Sequence, residues 1–190
     1  MKTLITISLT FFFFVIIVFG QNSKIMPDTS VSFKKDTLKN IRIPNNSFYI
    51  ELLGNAPLYS LNYERIFINK NKFYLSGRIG IGYFFSKLDP GSSNIVVTPV
   101  LINVGYQLRK KFFIETGIGA TYAYQREVTY SYYSGKKEID INNSFFGTAL
   151  IGLRIQGSKG FLFRVGFTPF YSINEFLFAP FGGVSFGYSF

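Results

Sequence analysis

The chain ends in a segment, residues 181–190, in which bulky apolar side chains alternate regularly with the smallest side chains available. The bulky positions are Val184, Phe186, Tyr188 and Phe190, and the small ones are Gly183, Ser185, Gly187 and Ser189. Alternation with a period of two predicts a β-strand whose two faces differ. The second face of a strand in a soluble sheet would carry charged and polar groups. Small residues there indicate a crowded interior and an outer face in contact with lipid.

Seven earlier segments repeat this alternation, at lengths comparable with the roughly 9 to 11 residues that a tilted membrane strand requires. The eight predicted strands are 47–54, 58–67, 72–85, 95–108, 112–124, 144–156, 161–171 and 181–190. No outward position in the middle of a strand is charged, and a Lys or Arg facing lipid there would cost about 2 to 4 kcal/mol. We therefore predict an all-β fold, an eight-stranded antiparallel up-and-down transmembrane β-barrel. Because Pro99 and Pro169 lie within predicted strands, a bulge or an end of regular pairing is expected at each.

The amino-terminal part of the chain lacks this alternation. Residues 1–20 combine a basic start at Lys2, an apolar run and a small final residue, which predicts a secretory signal peptide rather than an uncleaved anchor. Residues 21–46 are polar, mostly basic and aperiodic, which predicts a flexible periplasmic tail, with a docking segment or partial plug as the alternative. The predicted organisation is therefore a signal peptide at 1–20, a tail at 21–46 and a barrel at 47–190.

Connection lengths predict the orientation of the barrel. The turns at one end, 68–71, 109–111 and 157–160, are short. The connections at the other end are 54–57, 86–94, 125–143 and 172–179, and all but the first are longer than any of these turns. Such barrels have short periplasmic turns and longer outer loops, so the tail and the carboxy-terminus are both predicted to be periplasmic.

Two of the outer connections, 125–143 and 172–179, carry apolar and aromatic residues. Segment 125–143 itself alternates, so strands five and six are predicted to continue as a hairpin above the membrane. This hairpin is either a simple extension of the rim or an exposed edge that binds another protein. The candidate outer-loop contacts are Tyr130, Tyr132, Tyr133, Phe176 and Phe178.

The formal net charge of +10 is concentrated at the predicted inner turns and in the tail. The turns hold a periplasmic basic cluster without acidic residues, formed by Lys70, Lys72, Arg109, Lys110, Lys111 and Lys159. Anionic headgroups attract such bases by about 1 kcal/mol each, so membrane anchoring is the first interpretation and an acidic periplasmic partner the second. Nucleic-acid binding is not favoured, because the bases lie at turns.

The alternation also points six charged residues, three acids and three bases, into the predicted lumen. They are Glu51, Glu64, Arg78, Glu115, Arg154 and Arg164. Buried charges must be paired, and the interior of an eight-stranded barrel is just wide enough for side chains to fill it. We therefore predict a lumen ion-pair network that plugs the barrel. A narrow solute pathway or a carboxylate-pair active site is the alternative.

The chain contains no His and no Cys. These absences remove the usual general base, the thiolate nucleophile and the commonest zinc ligands. We predict no catalytic residue, no cofactor and no metal site.

Taken together, the leader, the eight alternating strands and the ending Gly187-Tyr188-Ser189-Phe190 resemble one known group. This group is the small eight-stranded outer-membrane barrels of Gram-negative bacteria, the OmpA transmembrane domain and OmpX group. The resemblance implies an integral protein of the cell outer membrane, in contact with its lipids. The ending is similar to the terminal-Phe signal read by the barrel assembly machinery, which makes Val184, Phe186, Tyr188 and Phe190 the predicted assembly signal. No functional motif comes with the group, and the first outer loop is shorter than in those relatives.

The expected function is that of a non-catalytic structural or interaction protein. It would bind an unidentified protein partner through outer loops or basic periplasmic turns, for example as an accessory subunit of an envelope complex. The alternatives are a narrow solute channel and, less favoured, a His-independent lipid-modifying or proteolytic barrel enzyme. A soluble lipocalin-like barrel would need an apolar lumen and a charged exterior, which is the reverse of this pattern.

Overall fold

The computed structural model describes residues 43–88, 91–130, 136–172 and 177–190. The strands are β1 Asn46–Leu53, β2 Tyr59–Lys70, β3 Phe73–Leu88, β4 Gly91–Arg109, β5 Phe112–Tyr130, β6 Lys137–Gln156, β7 Phe161–Phe167, β8 Phe170–Ser172, β9 Leu177–Ala179 and β10 Gly182–Ser189. The predicted signal peptide at 1–20 and the predicted tail as far as residue 42 lie outside the described residues. The described part of the chain contains no helix that is long and apolar enough to cross a membrane.

The strands close into a ring. Antiparallel pairing runs in order from β1 to β7, continues to β10 and returns to β1. Closure joins the first and last strands, from Ser47 opposite Ser189 to Leu53 opposite Gly183. A closed ring satisfies the backbone groups of both terminal strands, which an open edge would leave exposed to hydrocarbon. The predicted eight-stranded antiparallel up-and-down barrel is confirmed.

Two of the eight strands of the barrel are each interrupted once. Phe167 pairs with Gly182, and Phe170 pairs with Ala179 in the same register. β7 and β8 are therefore two parts of one barrel strand, and β9 and β10 are two parts of the next. The register places Pro169 opposite Pro180 at the interruption, and neither proline has an N–H to donate. The expected end of regular pairing at Pro169 is therefore confirmed, and its cause includes a second proline on the facing strand.

The hydrogen-bonded pairing of the strands has three further irregularities. Pairing between β3 and β4 lapses beside Pro99, between the Ile79–Val100 and Gly82–Val97 pairs, as expected for a residue without a donor. Two bulges were not predicted, at Phe67 in β2 and at Leu108 in β4, where the register shifts by one residue. Both lie near the short turns, where bulges commonly end regular pairing.

The surface of the barrel is the reverse of that of a soluble protein. Large apolar side chains cover the outside: Ile118 is 73% exposed and Phe67 is 64% exposed. Polar side chains fill the inside, where Glu64 and Arg154 have no exposed surface. The outward-facing Arg65 lies opposite Asn46, the first residue of β1, so its long side chain can reach a headgroup. This distribution is that of a barrel surrounded by hydrocarbon.

Glycines on neighbouring strands make room for the largest inward side chains. Tyr74 pairs with Gly105, and a Cβ atom on that glycine would lie 2.1 Å from the tyrosine ring. Tyr49 pairs with Gly187, where a Cβ would lie 2.3 Å from the tyrosine Cβ. Each tyrosine thus lies against a glycine of the neighbouring strand, which allows the narrow lumen to hold aromatic side chains.

The two ends of the barrel differ in height. At the turn end, the connections β2–β3, β4–β5 and β6–β7 are short, and at the loop end β3 to β6 extend well beyond their predicted limits. The predicted β5–β6 hairpin is confirmed, with pairing up to Tyr130 and Lys137. The predicted 86–94 loop is wrong, because β3 and β4 remain paired to Leu88 and Gly91. Polar residues such as Ser86 and Ser92 continue the strand pairing there. A strand that extends out of the membrane can therefore continue after its alternation of apolar residues has ended.

Candidate functional site

Four of the six predicted lumen charges form one cluster in the part of the barrel nearer the turn end. Arg154 Nη1 lies 2.8 Å from Glu64 Oε1 and 3.0 Å from Glu115 Oε1. Arg164 Nη2 lies 2.7 Å from Glu64 Oε2, and its Nε donates to Glu115 Oε2. Each arginine therefore binds both carboxylates, and all four side chains are fully buried. Charge-assisted hydrogen bonds of this kind are about twice as strong as those between neutral groups.

Two buried tyrosines complete the cluster. Tyr74 donates its hydroxyl proton to Glu115, and the hydroxyl of Tyr49 accepts a hydrogen bond of 2.9 Å from Arg164 Nη1. The Arg164 guanidinium also lies 5.0 Å from the centroid of the Tyr49 ring, and that of Arg154 lies 5.3 Å from the Tyr74 ring. The rings thus stabilise the cations through their faces as well as through their hydroxyl groups.

The remaining pair lies nearer the loop end. Arg78 Nη2 donates to Glu51 Oε2. The Arg78 guanidinium lies 5.6 Å from the centroid of the Tyr49 ring, which Arg164 also contacts. The structure thus brings all six predicted residues together in the lumen, as a group of four and a pair.

Sequence reasoning missed the neutral residues that complete this network. Ser76 donates a 2.6 Å hydrogen bond to Glu64, and Tyr49 and Tyr74 were not singled out. The signal was available in the period of two: Tyr49 is two residues from Glu51, and Tyr74 and Ser76 precede Arg78 on the same face.

An apolar cluster closes the lumen at the turn end. It consists of Ile43, Ile66, Tyr74 and Phe113, each at most 4% exposed. Ile43 precedes β1, so a residue assigned by prediction to the flexible tail packs beneath the ion-pair cluster. The segment is held there by a 2.7 Å hydrogen bond from the Ile66 N–H to the Asn45 carbonyl.

The first loop closes the other side of the network. Leu53 and Gly54 have φ angles of 58° and 80°, which turn the chain into the barrel. Asn55 and Ala56 are then fully buried, and Thr121 donates to the Asn55 carbonyl at 3.2 Å. Thr148 donates to the Asn55 side-chain oxygen. The loop therefore spans from β1 to β5 and β6, so this connection joins β1 and β2 at the loop end but folds into the barrel. We call residues 54–58 the inward loop.

Beyond the inward loop, the lumen opens into a cavity of about 330 Å³ at the loop end. Inward-facing residues of β4, β5, β6, β8 and the segment after β9 line it, among them Val97, Ala123, Phe146, Phe170 and Phe181. We call this cavity the apolar cup. It has no counterpart among the predicted sites, which in the lumen included only charged residues, although most of its lining lies in predicted strands.

The six bases of the predicted basic cluster lie together at the turn end, on the three short turns or beside them. All are exposed except Lys72, which is partly buried with its Nζ 6.0 Å from the Tyr106 ring centroid. The members are Lys70, Lys72, Arg109, Lys110, Lys111 and Lys159.

The predicted contact and assembly residues have different outcomes. Tyr130 and Phe178 are exposed by 48% and 59%, whereas Tyr132, Tyr133 and Phe176 lie outside the described residues. In the last strand, Phe186 pairs with Ile50 and Tyr188 with Phe48. Phe186, Tyr188 and Phe190 are exposed on the outer face, and Val184 is partly buried.

Across residues 43–88, 91–130, 136–172 and 177–190, no three His, Cys, Asp or Glu side chains are grouped so that they could hold a metal ion. Each carboxylate in the lumen is instead bound by at least one arginine. The chemistry of the lumen is therefore that of a closed ion-pair network.

The closed ring, its apolar outside and its plugged polar inside define a small eight-stranded transmembrane β-barrel of the outer-membrane type. No protein-family model matches the chain, and no curated protein matches it. Among solved structures, the chain is similar to Ail, the attachment invasion locus protein of Yersinia pestis. The identity is 12% and the TM-score 0.49, over 78% of this chain and all of that one.

A structure of Ail in a phospholipid bilayer nanodisc is similar at 13% identity and a TM-score of 0.47, over 77% of this chain and 99% of that one. The amino-terminal β-barrel domain of Pseudomonas aeruginosa OprF is similar at 13% identity and a TM-score of 0.41, over 76% and 99%. At these identities and TM-scores, the fold assignment depends on the ring and the exposure pattern of the chain itself.

Proposed function

We propose that this protein is a non-catalytic, non-conducting barrel of the outer membrane that binds an extended protein segment at the loop end. The observation that carries this proposal is the edge of β6. Residues 137–145 pair with β5 on one side, and among the described residues they have no strand partner on the other. An exposed strand edge offers unpaired N–H and C=O groups to an incoming strand.

The side chains of this edge indicate the chemistry of the partner. Ile139 and Ile141 face outward and are 46% and 56% exposed, while the exposed Glu138 and Asp140 alternate with them. A strand added beside them would place one set of side chains next to the isoleucines and the other next to the acids. The edge therefore fits a segment that alternates apolar with basic residues.

The absence of catalysis and conduction is supported by the lumen. The lumen carboxylates are engaged by arginines, and the chain has no His to act as a general base. The apolar cluster and the inward loop lie on either side of the ion-pair network, so a solute pathway would require both to move. These contacts do not favour the channel or the enzyme.

The orientation follows from the unequal ends. We infer that the turn end, with its six bases, faces the periplasm and contacts the anionic headgroups of the inner leaflet. The tall sheet formed by β3 to β6 then projects outside the cell. Recognition of the last strand by the barrel assembly machinery belongs to the same proposal, supported by the exposed Phe186, Tyr188 and Phe190.

The test is binding of a labelled peptide of alternating Lys and Val to the full chain in lipid nanodiscs, followed by fluorescence anisotropy. We expect Asp140→Lys to weaken binding at least tenfold, because it places a positive charge beside the lysines of the peptide. The matched control is Glu127→Lys, which makes the same charge change directly opposite Asp140 on β5, a strand paired on both sides. Equal loss in both variants would mean attraction by charge alone, and no binding by the unmodified chain would refute the edge proposal.

A further inference from the structure

The apolar cup differs from the rest of the lumen in the chemistry of its lining. Toward the turn end, the inward positions carry charges that are paired with one another. Around the cup, the inward positions of the described residues carry no ionisable side chain. Ile95, Val97 and Ala123 form the side made by β4 and β5, and Pro57 of the inward loop also lines the cavity.

Three aromatic rings form the opposite side. The centroids of Phe146 and Phe170 are 6.3 Å apart, and those of Phe170 and Phe181 are 5.4 Å apart, each pair edge to face. This arrangement presents ring faces and ring edges together, which suits an aromatic guest. The residues come from β6, β8 and the segment before β10, so only the closed barrel assembles them.

The lining surface of the cup is mostly apolar, and several polar groups beneath it are bonded within the protein, although the buried Nδ2 of Asn55 has no partner among the described residues. Thr121 and Thr148 both donate to Asn55, and Gln125 Nε2 donates to the Ser93 hydroxyl at 3.2 Å. A molecule in the cup would therefore be held mainly by apolar contact. The volume of about 330 Å³ lies at the small end of the roughly 300 to 1,000 Å³ typical of ligand pockets.

Acidic residues lie farther along the same two strands toward the loop end. Glu127 pairs with Asp140, and Glu138 pairs with Thr129. Bases lie beside these acids on the same two strands, at Arg126 and Lys137, so the mouth carries charges of both signs. The lining itself offers no counter-ion, which disfavours the burial of any charged group in the cup.

We propose that the apolar cup binds one neutral, largely aromatic small molecule. The size of the cavity fits two or three rings, and the lining provides aromatic contact on one side and aliphatic contact on the other. The site lies on the lumen side of the wall and is separate from the outward apolar surface that contacts lipid.

The test uses the neutral dye N-phenyl-1-naphthylamine, whose fluorescence rises in apolar surroundings, added to the full chain in lipid nanodiscs with empty nanodiscs as background. We expect saturable binding at one site. Ala123→Phe, which fills the cup, should weaken binding at least tenfold. Ala120→Phe is the matched control, because it adds the same ring to the same strand at an exposed, lipid-facing position and should leave binding unchanged.

A second probe tests the charge argument. The anionic relative 1-anilinonaphthalene-8-sulfonate carries the same rings with a sulfonate, and we expect it to bind at least tenfold more weakly. Folding of each variant is checked by its migration on a gel with and without heating. If Ala123→Phe does not fold, Ser144→Phe fills the same cup from β6.

Three results would overturn the proposal. They are no saturable signal above empty nanodiscs, equal weakening by Ala120→Phe and the cup-filling variant, and equal affinity for the neutral and the anionic dye. None of these results bears on the peptide edge, which is tested with a different probe.

Discussion

The lumen is built in two ways along its length, and the comparison explains what each part does. Toward the turn end, Arg154 and Arg164 hold Glu64 and Glu115 in a buried network. Toward the loop end, the same barrel wall surrounds the apolar cup with Phe146, Phe170 and Phe181. Inward positions filled by paired charges close the barrel, whereas inward positions left apolar leave a space for a guest.

The inward loop is the boundary between these two parts. Asn55 accepts hydrogen bonds from Thr121 and Thr148 on the far wall, and its own N–H donates to Glu51 at 3.3 Å. It is therefore bound to the ionic network on one side and lies beneath the cup on the other. If this comparison is right, substitutions on the turn-end side of the inward loop should lower the free energy of unfolding more than substitutions on its loop-end side.

The largest effect is expected for Arg154→Met, which leaves Glu64 and Glu115 buried with Arg164 as their remaining cation. Breaking a buried ion pair costs about 3 to 5 kcal/mol, because an uncompensated charge stays in the interior. The measurement is the free energy of unfolding in urea, with the barrel in phospholipid vesicles. Arg126→Met, at an exposed position of β5, is the control and should change it by less than about 0.5 kcal/mol. A decrease of less than about 1 kcal/mol in the free energy of unfolding of Arg154→Met would contradict the inference that paired charges hold the turn-end part of the lumen together.

A smaller difference should separate two serine-to-alanine changes. Ser76→Ala removes a hydrogen bond of 2.6 Å to a buried carboxylate, and bonds to charged groups contribute about 1.5 to 3 kcal/mol. Ser144→Ala lies in the lining of the apolar cup and should cost less than about 0.5 kcal/mol. Both are read from the same unfolding curves, and equal costs would remove the distinction between the two regions.

The smallest effect is expected at the boundary, for Thr148→Val. Loss of its bond to Asn55 should lower stability by about 1 kcal/mol. The barrel should still pass no current in planar bilayers, because the ion-pair network remains closed beneath the loop. Thr116→Val, exposed on the outer face of β5, is the control and should not destabilise the barrel. Steady currents through the Thr148→Val variant alone would mean that the inward loop closes the lumen by itself.

Much of the fold could be predicted from the sequence, because side-chain direction in a strand repeats every two residues. That period placed Glu64, Arg154 and Arg164 inside and Ile118 outside before any partner was known. The same period does not show where a strand is interrupted or bulges. Pro169 is visible in the sequence, but its position opposite Pro180 depends on the register of two strands.

The closing elements could not be predicted for a related reason. The left-handed φ of 58° at Leu53, which turns the first loop inward, is rare for a residue of that kind and leaves no mark in the alternation. The apolar cup likewise could not be predicted, because Phe146, Phe170 and Phe181 lie in predicted strands but come together only when the barrel closes.

By itself, the sequence determined the number of strands, the face on which each side chain lies and the balance of three acids with three bases. The tertiary structure decided which charges meet: Arg154 binds Glu64, 90 residues away along the chain, and Glu115, 39 residues away. It also decided that the lumen divides into a sealed ionic part and an apolar cup. The physical reason is that direction within a strand is a local property of the backbone, whereas contact across a barrel depends on the register of every strand between.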